Sequence, residues 1–304
     1  MPNWPYCPPF DYEGEQGLHQ GISSGYLALL SEKLGIRFSV TADKWDNVIP
    51  LAGQPDSIAV SPDALYAAVV IENERDEDLE DGAPSQAPAG LLKIIDLKGN
   101  PADWIISDVS LAGLASLYGN DPEPEYVDIN DDDIAVITLQ ENNHIILVDL
   151  SDGGIINHFS AGAVDLNNID IEKDCRIDPT KSLVNVLRKP DGVSWVGNDR
   201  FATVNEGDLD GVSRGFTVFN LDGGVFYESA ESVEHIITRH GHFSDKYAGK
   251  KGNEPGNVEY AVFGATEYLF VGSERSSIVL VYRTTDDAEP QFVQLLPAFV
   301  KPEG

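Results

Sequence analysis

Between residues 121 and 150 apolar and polar positions come in three short bursts. After Pro124, Val127 and Ile129 alternate with polar neighbours; residues 134–139 form a second apolar run and 145–150 a third, parted by the polar clusters 130–133 and 140–144. Runs of about six residues separated by turn clusters predict an antiparallel meander of strands. The same order recurs along the chain. Gln54-Pro55-Asp56 precedes runs at 66–71, 89–97 and 104–111; Lys189-Pro190-Asp191 precedes runs at 201–204 and 215–221; Glu254-Pro255-Gly256 precedes runs at 268–271 and 277–282. The anchoring prolines at 55, 124, 190 and 255 lie 69, 66 and 65 residues apart. A fixed period built from strands alone predicts propeller blades.

The expected fold is therefore all-β, a β-propeller of four visible repeats over residues 49–304. Lys301-Pro302-Glu303-Gly304 repeats the anchor a fifth time, which predicts an array larger than four blades. An open propeller edge exposes unpaired strand groups and invites self-association. Residues 1–47 fall outside the period and read as a short α/β segment. In it Tyr26, Leu27, Leu30 and Leu34 recur at helical spacing over residues 23–34, with Gly35 as a stop and a strand over 37–41. Residues 160–187 form a long acidic connection around Cys175, either an ordered insertion or a mobile loop. The outer part of the third repeat takes in residues 234–242.

Composition narrows the partners. The chain of 304 residues carries 51 acidic against 20 basic side chains, a net charge of -31. That excludes nucleic acid, whose phosphates need Lys and Arg. No apolar run approaches the roughly 20 residues of a membrane span, and no signal peptide is visible at Met1-Pro2-Asn3-Trp4-Pro5. Cys7 and Cys175 make no metal motif.

Aligning the repeats at the end of the second strand brings Glu74, Glu141, Glu206 and Glu274 to one position. The first strand of a blade is innermost, and its start shares a face with the end of the second. Asp56, Glu125 and Asp191 should thus join the glutamates in a carboxylate ring near the central channel. Such a ring suits calcium, which takes six to eight oxygen ligands; alternatively each glutamate staples neighbouring blades, through backbone groups or through Arg75, Arg214 or Arg275. Asp208, in the acid-and-glycine run 205–211, extends the metal candidates to Glu74, Glu141, Glu206, Asp208 and Glu274. His235, His240 and His242 beside Arg239 form a second cluster able to ligate a metal or supply a general acid. No serine nucleophile elbow is present, and no catalytic residue is assigned.

Two resemblances add to this. Asn3-Trp4-Pro5, Pro9-Phe10, Tyr26-Leu27 and Leu34-Gly35-Ile36-Arg37-Phe38 resemble the opening of family 3 periplasmic solute-binding domains. Over residues 49–304, Gly53-Gln54-Pro55-Asp56, Asp121-Pro122-Glu123-Pro124-Glu125, Leu139-Gln140-Glu141-Asn142-Asn143, Asn205-Glu206-Gly207-Asp208 and Val271-Gly272-Ser273-Glu274-Arg275 resemble the bacterial propellers termed esterase-like activity of phytase, and the choice-of-anchor I domains. The resemblance implies a periplasmic or extracellular propeller and a phosphoester hydrolase that uses calcium on a phosphorylated small molecule. The alternative is a non-catalytic propeller that binds a protein ligand or serves at the cell surface.

Overall fold

The proline-anchored runs fold into antiparallel four-stranded sheets. A computed structural model describes residues 11–13, 19–21, 51, 53–73, 86–207, 213–285 and 288–298. The chain divides into two compact units, residues 1–49 and 50–304. In the first, β1 (Asp11–Glu13) pairs antiparallel with β2 (His19–Gly21). The expected helix over 23–34, the strand over 37–41 and most of the residues that resemble a solute-binding domain lie outside the described residues.

Among the described residues the second unit holds four four-stranded sheets, each a meander in chain order. The first blade is β3 (Gln54–Val60), β4 (Tyr66–Glu72), β5 (Leu91–Asp96) and β6 (Ile105–Ser110). The second is β7 (Pro124–Ile129), β8 (Ile134–Leu139), β9 (His144–Asp149) and β10 (Gly154–Ser160). The third is β13 (Pro190–Val196), β14 (Arg200–Asn205), β15 (Phe216–Asn220) and β16 (Val225–Glu228). The fourth is β17 (Pro255–Phe263), β18 (Thr266–Ser273), β19 (Ile278–Thr285) and β20 (Ala288–Pro297). The first strands line the inside, with β3 beside β7, β7 beside β13 and β13 beside β17. The chain is a β-propeller array.

Three of the inner strands begin on the anchoring proline and β3 one residue before it, at Gln54, and each breaks register just after the proline: between Pro55 and Ile58, Pro124 and Tyr126, Pro190 and Val193, and Pro255 and Asn257. Proline has no N–H to give the ladder, so a bulge at the strand's first residue costs little and bends it. The residue after each proline, inside the bulge, is Asp56, Glu125, Asp191 or Gly256, joined in the first and third blades by Ser57 and Gly192. The register shift therefore re-aims the acidic position of the repeat.

Blades pack through apolar faces. Val127 and Ile129 of the second blade join Ala68, Val70, Leu92 and Ile94 of the first. Val193 and Trp195 of the third join Val136, Ile145 and Leu147 of the second. Val258 of the fourth joins Ala202, Val204, Phe216 and Val218 of the third, with Tyr260 packed alongside. Polar links run between inner strands as well. The Val127 N–H donates to Ser57 Oγ at 3.4 Å, Trp195 N–H to Asp128 Oδ2 at 2.7 Å and Tyr260 N–H to Ser194 Oγ at 3.1 Å.

The connection over 160–187 is an ordered insertion, the hairpin β11 (Ala163–Ile169) and β12 (Lys181–Leu187). Residues 234–242 do not continue the third blade as strand. Most of them belong to helix α1 (Ser232–Arg239) and the turn after it. Val233 and Ile237 bury one side of α1, with Ile236 partly covered, beside Phe243 and Ala248 in the core between the third and fourth blades. That is the three-and-four spacing of an amphipathic helix. Arg214 ties hairpin and helix together. Its Nη1 donates to Glu234 Oε2 and to the Asp170 carbonyl, and its Nη2 to the Ala248 carbonyl, at 2.6–2.7 Å.

Candidate functional site

Carboxyls from all four blades meet at the start of the inner strands. Asp56, Glu125 and Asp191 stand in the bulges of β3, β7 and β13. Burial pushes the Glu125 carboxyl well above the usual glutamate range, and the charges of Asp56, Glu72, Glu206 and Glu141 push it further. Asp191 is raised well above the usual aspartate range by burial and then by Glu206, Glu125, Asp56 and Glu274. Asp56 is pushed up to about 6 by burial and by Glu72. Among the described residues no lysine or arginine pairs with these three carboxyls.

The fourth blade differs. Its bulge residue is Gly256, where an added Cβ would lie 2.6 Å from Glu274 Oε1. The missing side chain makes room for the Glu274 carboxylate. Close by, an added Cβ at Gly192 would fall 2.8 Å from the Gly256 carbonyl oxygen, so β13 and β17 approach as only glycine allows. Asn257 Nδ2 reaches the Tyr126 hydroxyl at 3.0 Å, linking the fourth blade to the second across the channel.

The glutamates at the ends of the second strands are not one chemical set. Glu141 is buried and receives Lys189 Nζ on Oε2 at 3.3 Å, while the same ammonium donates to the Glu141 carbonyl at 2.9 Å. Glu206 Oε1 receives Lys251 Nζ at 2.6 Å, and its Oε2 accepts from Gln140 Nε2 of the second blade. Lys251 also pairs with Glu254 at 3.0 Å, and Arg275 pairs with Glu254. Lysines and acids at the seams thus hold successive blades. Of the arginines considered for this, Arg275 serves the acid before the proline, and Arg214 serves Glu234 on α1. Arg75, Glu74 and Asp208 lie outside the described residues.

The alignment overlooked Glu72. It ends β4 opposite Gln54, whose Nε2 donates to Glu72 Oε1 at 3.1 Å. Its signal was the strand register across from the anchor. The histidine cluster does not converge. His235 Nε2 meets the Asn168 carbonyl at 2.7 Å, His240 Nδ1 the Ile236 carbonyl at 2.7 Å and His242 Nδ1 the Ser276 carbonyl at 3.3 Å. Cys175 is an exposed free thiol.

The donors at the channel mouth are all oxygens, the class calcium takes. Among the described residues no three His, Cys, Asp or Glu side chains close on one point as a ready-made metal shell. The mouth offers concentrated negative potential, with protons retained by burial first and by mutual repulsion second.

The sequence profile of the choice-of-anchor I domain matches residues 105–212 and 211–287, more than half of the chain. The chain belongs to the choice-of-anchor I domain family. Among curated proteins none matches this sequence. Among solved structures the propeller is similar to virginiamycin B lyase from Staphylococcus aureus, at 13% identity, over 82% of this chain and 58% of that one, with a TM-score of 0.46. It is similar to a functionally unknown protein from Desulfotomaculum acetoxidans, at 12% identity, over 84% of this chain and 59% of that one, with a TM-score of 0.47. The periplasmic gluconolactonase of Pseudomonas aeruginosa is similar at 9% identity, over 82% of this chain and 87% of that one, with a TM-score of 0.37. The choice-of-anchor I chain spans 58% and 59% of the first two. At these identities the likenesses carry no argument about activity. Among the described residues no helix is long and apolar enough to cross a membrane.

Proposed function

We propose that this choice-of-anchor I propeller is a cell-surface or secreted binding module whose channel-mouth carboxylates take a cationic ligand, with calcium the first ion to test. Membership of the family points to the surface or secreted location. One observation carries the binding reading: Asp56, Glu125 and Asp191 come from three blades, face the other acids of the mouth, and have no basic partner among the described residues. A cation offsets their repulsion, draws the oxygens together and displaces their protons.

A second reading is calcium-dependent hydrolysis of a phosphoester. The same acids favour it, because a phosphorylated substrate approaches this mouth only after bound cations have offset the carboxylates, and such ions would also polarise the phosphoryl group.

The test is calorimetric titration of calcium into the chelator-treated chain, in two buffers of different ionisation enthalpy, for wild type and for Glu125→Gln combined with Asp191→Asn. Binding accompanied by proton release, lost in the double variant, is expected. A wild type that takes up no calcium and gains no melting temperature from it removes calcium as the ligand. Phosphate release from a phosphomonoester only in the presence of calcium moves the hydrolase reading ahead.

A further inference from the structure

We propose that the outer strands of the second blade carry a metal site of their own, in which His144 Nε2 and His158 Nδ1 together ligate one transition-metal ion of the zinc, nickel and copper class. The site is independent of the carboxyls on the inner strands and of the ligand they take.

The two histidines are fourteen residues apart in the chain, one on β9 and one on β10. These strands run antiparallel, with His144 opposite Ser160 and His158 opposite Ile146. Residues opposite one another share a face of the sheet, and so do alternate residues of one strand. His144, Ile146 and His158 therefore share one face, and Ile146 on it packs with the first blade. A bulge makes this possible. The register shifts between Ile155 and Asn157. Without the extra residue, His158 would stand opposite Ile145 and turn to the face that packs with the third blade. The irregularity thus re-aims one imidazole onto the other, a use of bulges found beside functional sites.

The geometry suits ligation. His144 Nε2 and His158 Nδ1 are 3.0 Å apart, and the ring planes are inclined by 39°. Two imidazole nitrogens at about 2.0–2.1 Å from one metal ion lie about 3.0 Å apart at a right angle and about 3.4 Å apart in a tetrahedron. The pair meets the first arrangement as it stands and the second after a slight tilt of the His158 ring. His144 is 5% exposed, so packing holds it in place, whereas His158 is exposed on the outermost strand, where an ion can enter. His144 Nδ1 has no hydrogen-bond partner, so no donor on that side ties the ring to the tautomer that would hide the Nε2 lone pair. Burial, and then His158, push the His144 imidazole down to about 4; at neutral pH it is therefore uncharged, the form that binds metal. Imidazole suits zinc, nickel and copper, whereas the oxygens of the channel mouth suit calcium. Among the described residues no third His, Cys, Asp or Glu side chain completes a shell. The remaining positions go to water or to a donor atom of a bound molecule.

Zinc titration of the full chain, with calcium in excess to occupy the carboxylates, tests the site. Wild type is expected to bind zinc and His240→Ala to match it. His158→Ala is expected to bind at least about tenfold more weakly, the least that disturbing a metal-bound histidine costs. His158 is an exposed position, and circular dichroism matching wild type shows that the variant folds. Copper(II) gives a second readout: the electron paramagnetic resonance spectrum of the copper-loaded chain is expected to show splitting from two imidazole nitrogens, lost in His158→Ala. A wild type that binds no zinc in the presence of calcium overturns the proposal. So does zinc binding that His158→Ala leaves unchanged, or a copper spectrum with oxygen donors alone, since the ion then sits elsewhere.

Discussion

Lys189 shows how a single side chain holds a seam. Its ammonium is wholly buried between the Glu141 carboxylate and the Glu141 carbonyl, and its backbone N–H donates to Asn143 Oδ1 at 2.9 Å. Removing one partner of a buried pair leaves the other charge uncompensated, at about 3–5 kcal/mol. Lys189→Ala is therefore expected to lose that much in urea unfolding, whereas Lys189→Met with Glu141→Leu recovers most of it. A loss below about 1 kcal/mol, the value of an exposed pair, would mean that the seam does not depend on it. The channel carboxyls act in the opposite sense. Unfolded, they titrate near 4; folded, Asp56 titrates at about 6, and Glu125 and Asp191 are raised as well. Above its unfolded value each of these groups holds a proton in the folded chain that the unfolded chain has shed, so its contribution to stability is present at low pH and fades as pH rises, for Asp56 from about 4 through 6. The melting temperature without cation is expected to fall across that window, and the Glu125→Gln, Asp191→Asn double variant to flatten the fall. An unchanged slope in the double variant would place the titrating groups elsewhere.

At the scale of elements, the proline-induced bulge links local sequence to the site: a residue that cannot donate a ladder bond shifts the strand, and the next residue turns to the channel. The hairpin β11–β12 and helix α1 are organised differently. They hang on Arg214, nearly fully buried with Glu234 and two backbone carbonyls. Asp245 adds to the join by accepting the backbone N–H groups of residues 174, 175 and 176. Arg214→Ala is expected to raise hydrogen exchange over residues 163–187 and 232–249 while the strands of the first and second blades keep their protection. Equal loosening of all blades would show that the insertion is part of the global fold and not a unit clamped onto the third blade.

Over the whole molecule, the charge of -31 must be carried by a fold whose inner end already gathers acids. Seam lysines offset part of it locally, and the remainder is long-range repulsion that salt screens with a Debye length of about 10 Å at 0.1 M. The melting temperature is expected to rise with sodium chloride between low and moderate ionic strength, and to rise less when calcium is already present if the mouth binds it. A salt-independent midpoint would mean that the acids are balanced in place.

The four-blade repeat was legible in the sequence because period-two alternation and proline spacing are local signals, written again in each copy. So was the meeting of Asp56, Glu125 and Asp191, since equivalent positions in equivalent blades share a face. The helix at 232–239 was hidden, because eight residues inside a strand-rich period carry a weak helical signal until Phe243 and Ala248 supply the core against which they pack. Glu72 was hidden because cross-strand register, not spacing along the chain, sets it opposite Gln54. The division of the acids into lysine-held seam residues and the channel residues Asp56, Glu125 and Asp191, which have no basic partner among the described residues, was decided only by tertiary structure. The carboxylates are alike in sequence, and burial and the nearest charge, both properties of the assembled blades, give them different chemistry.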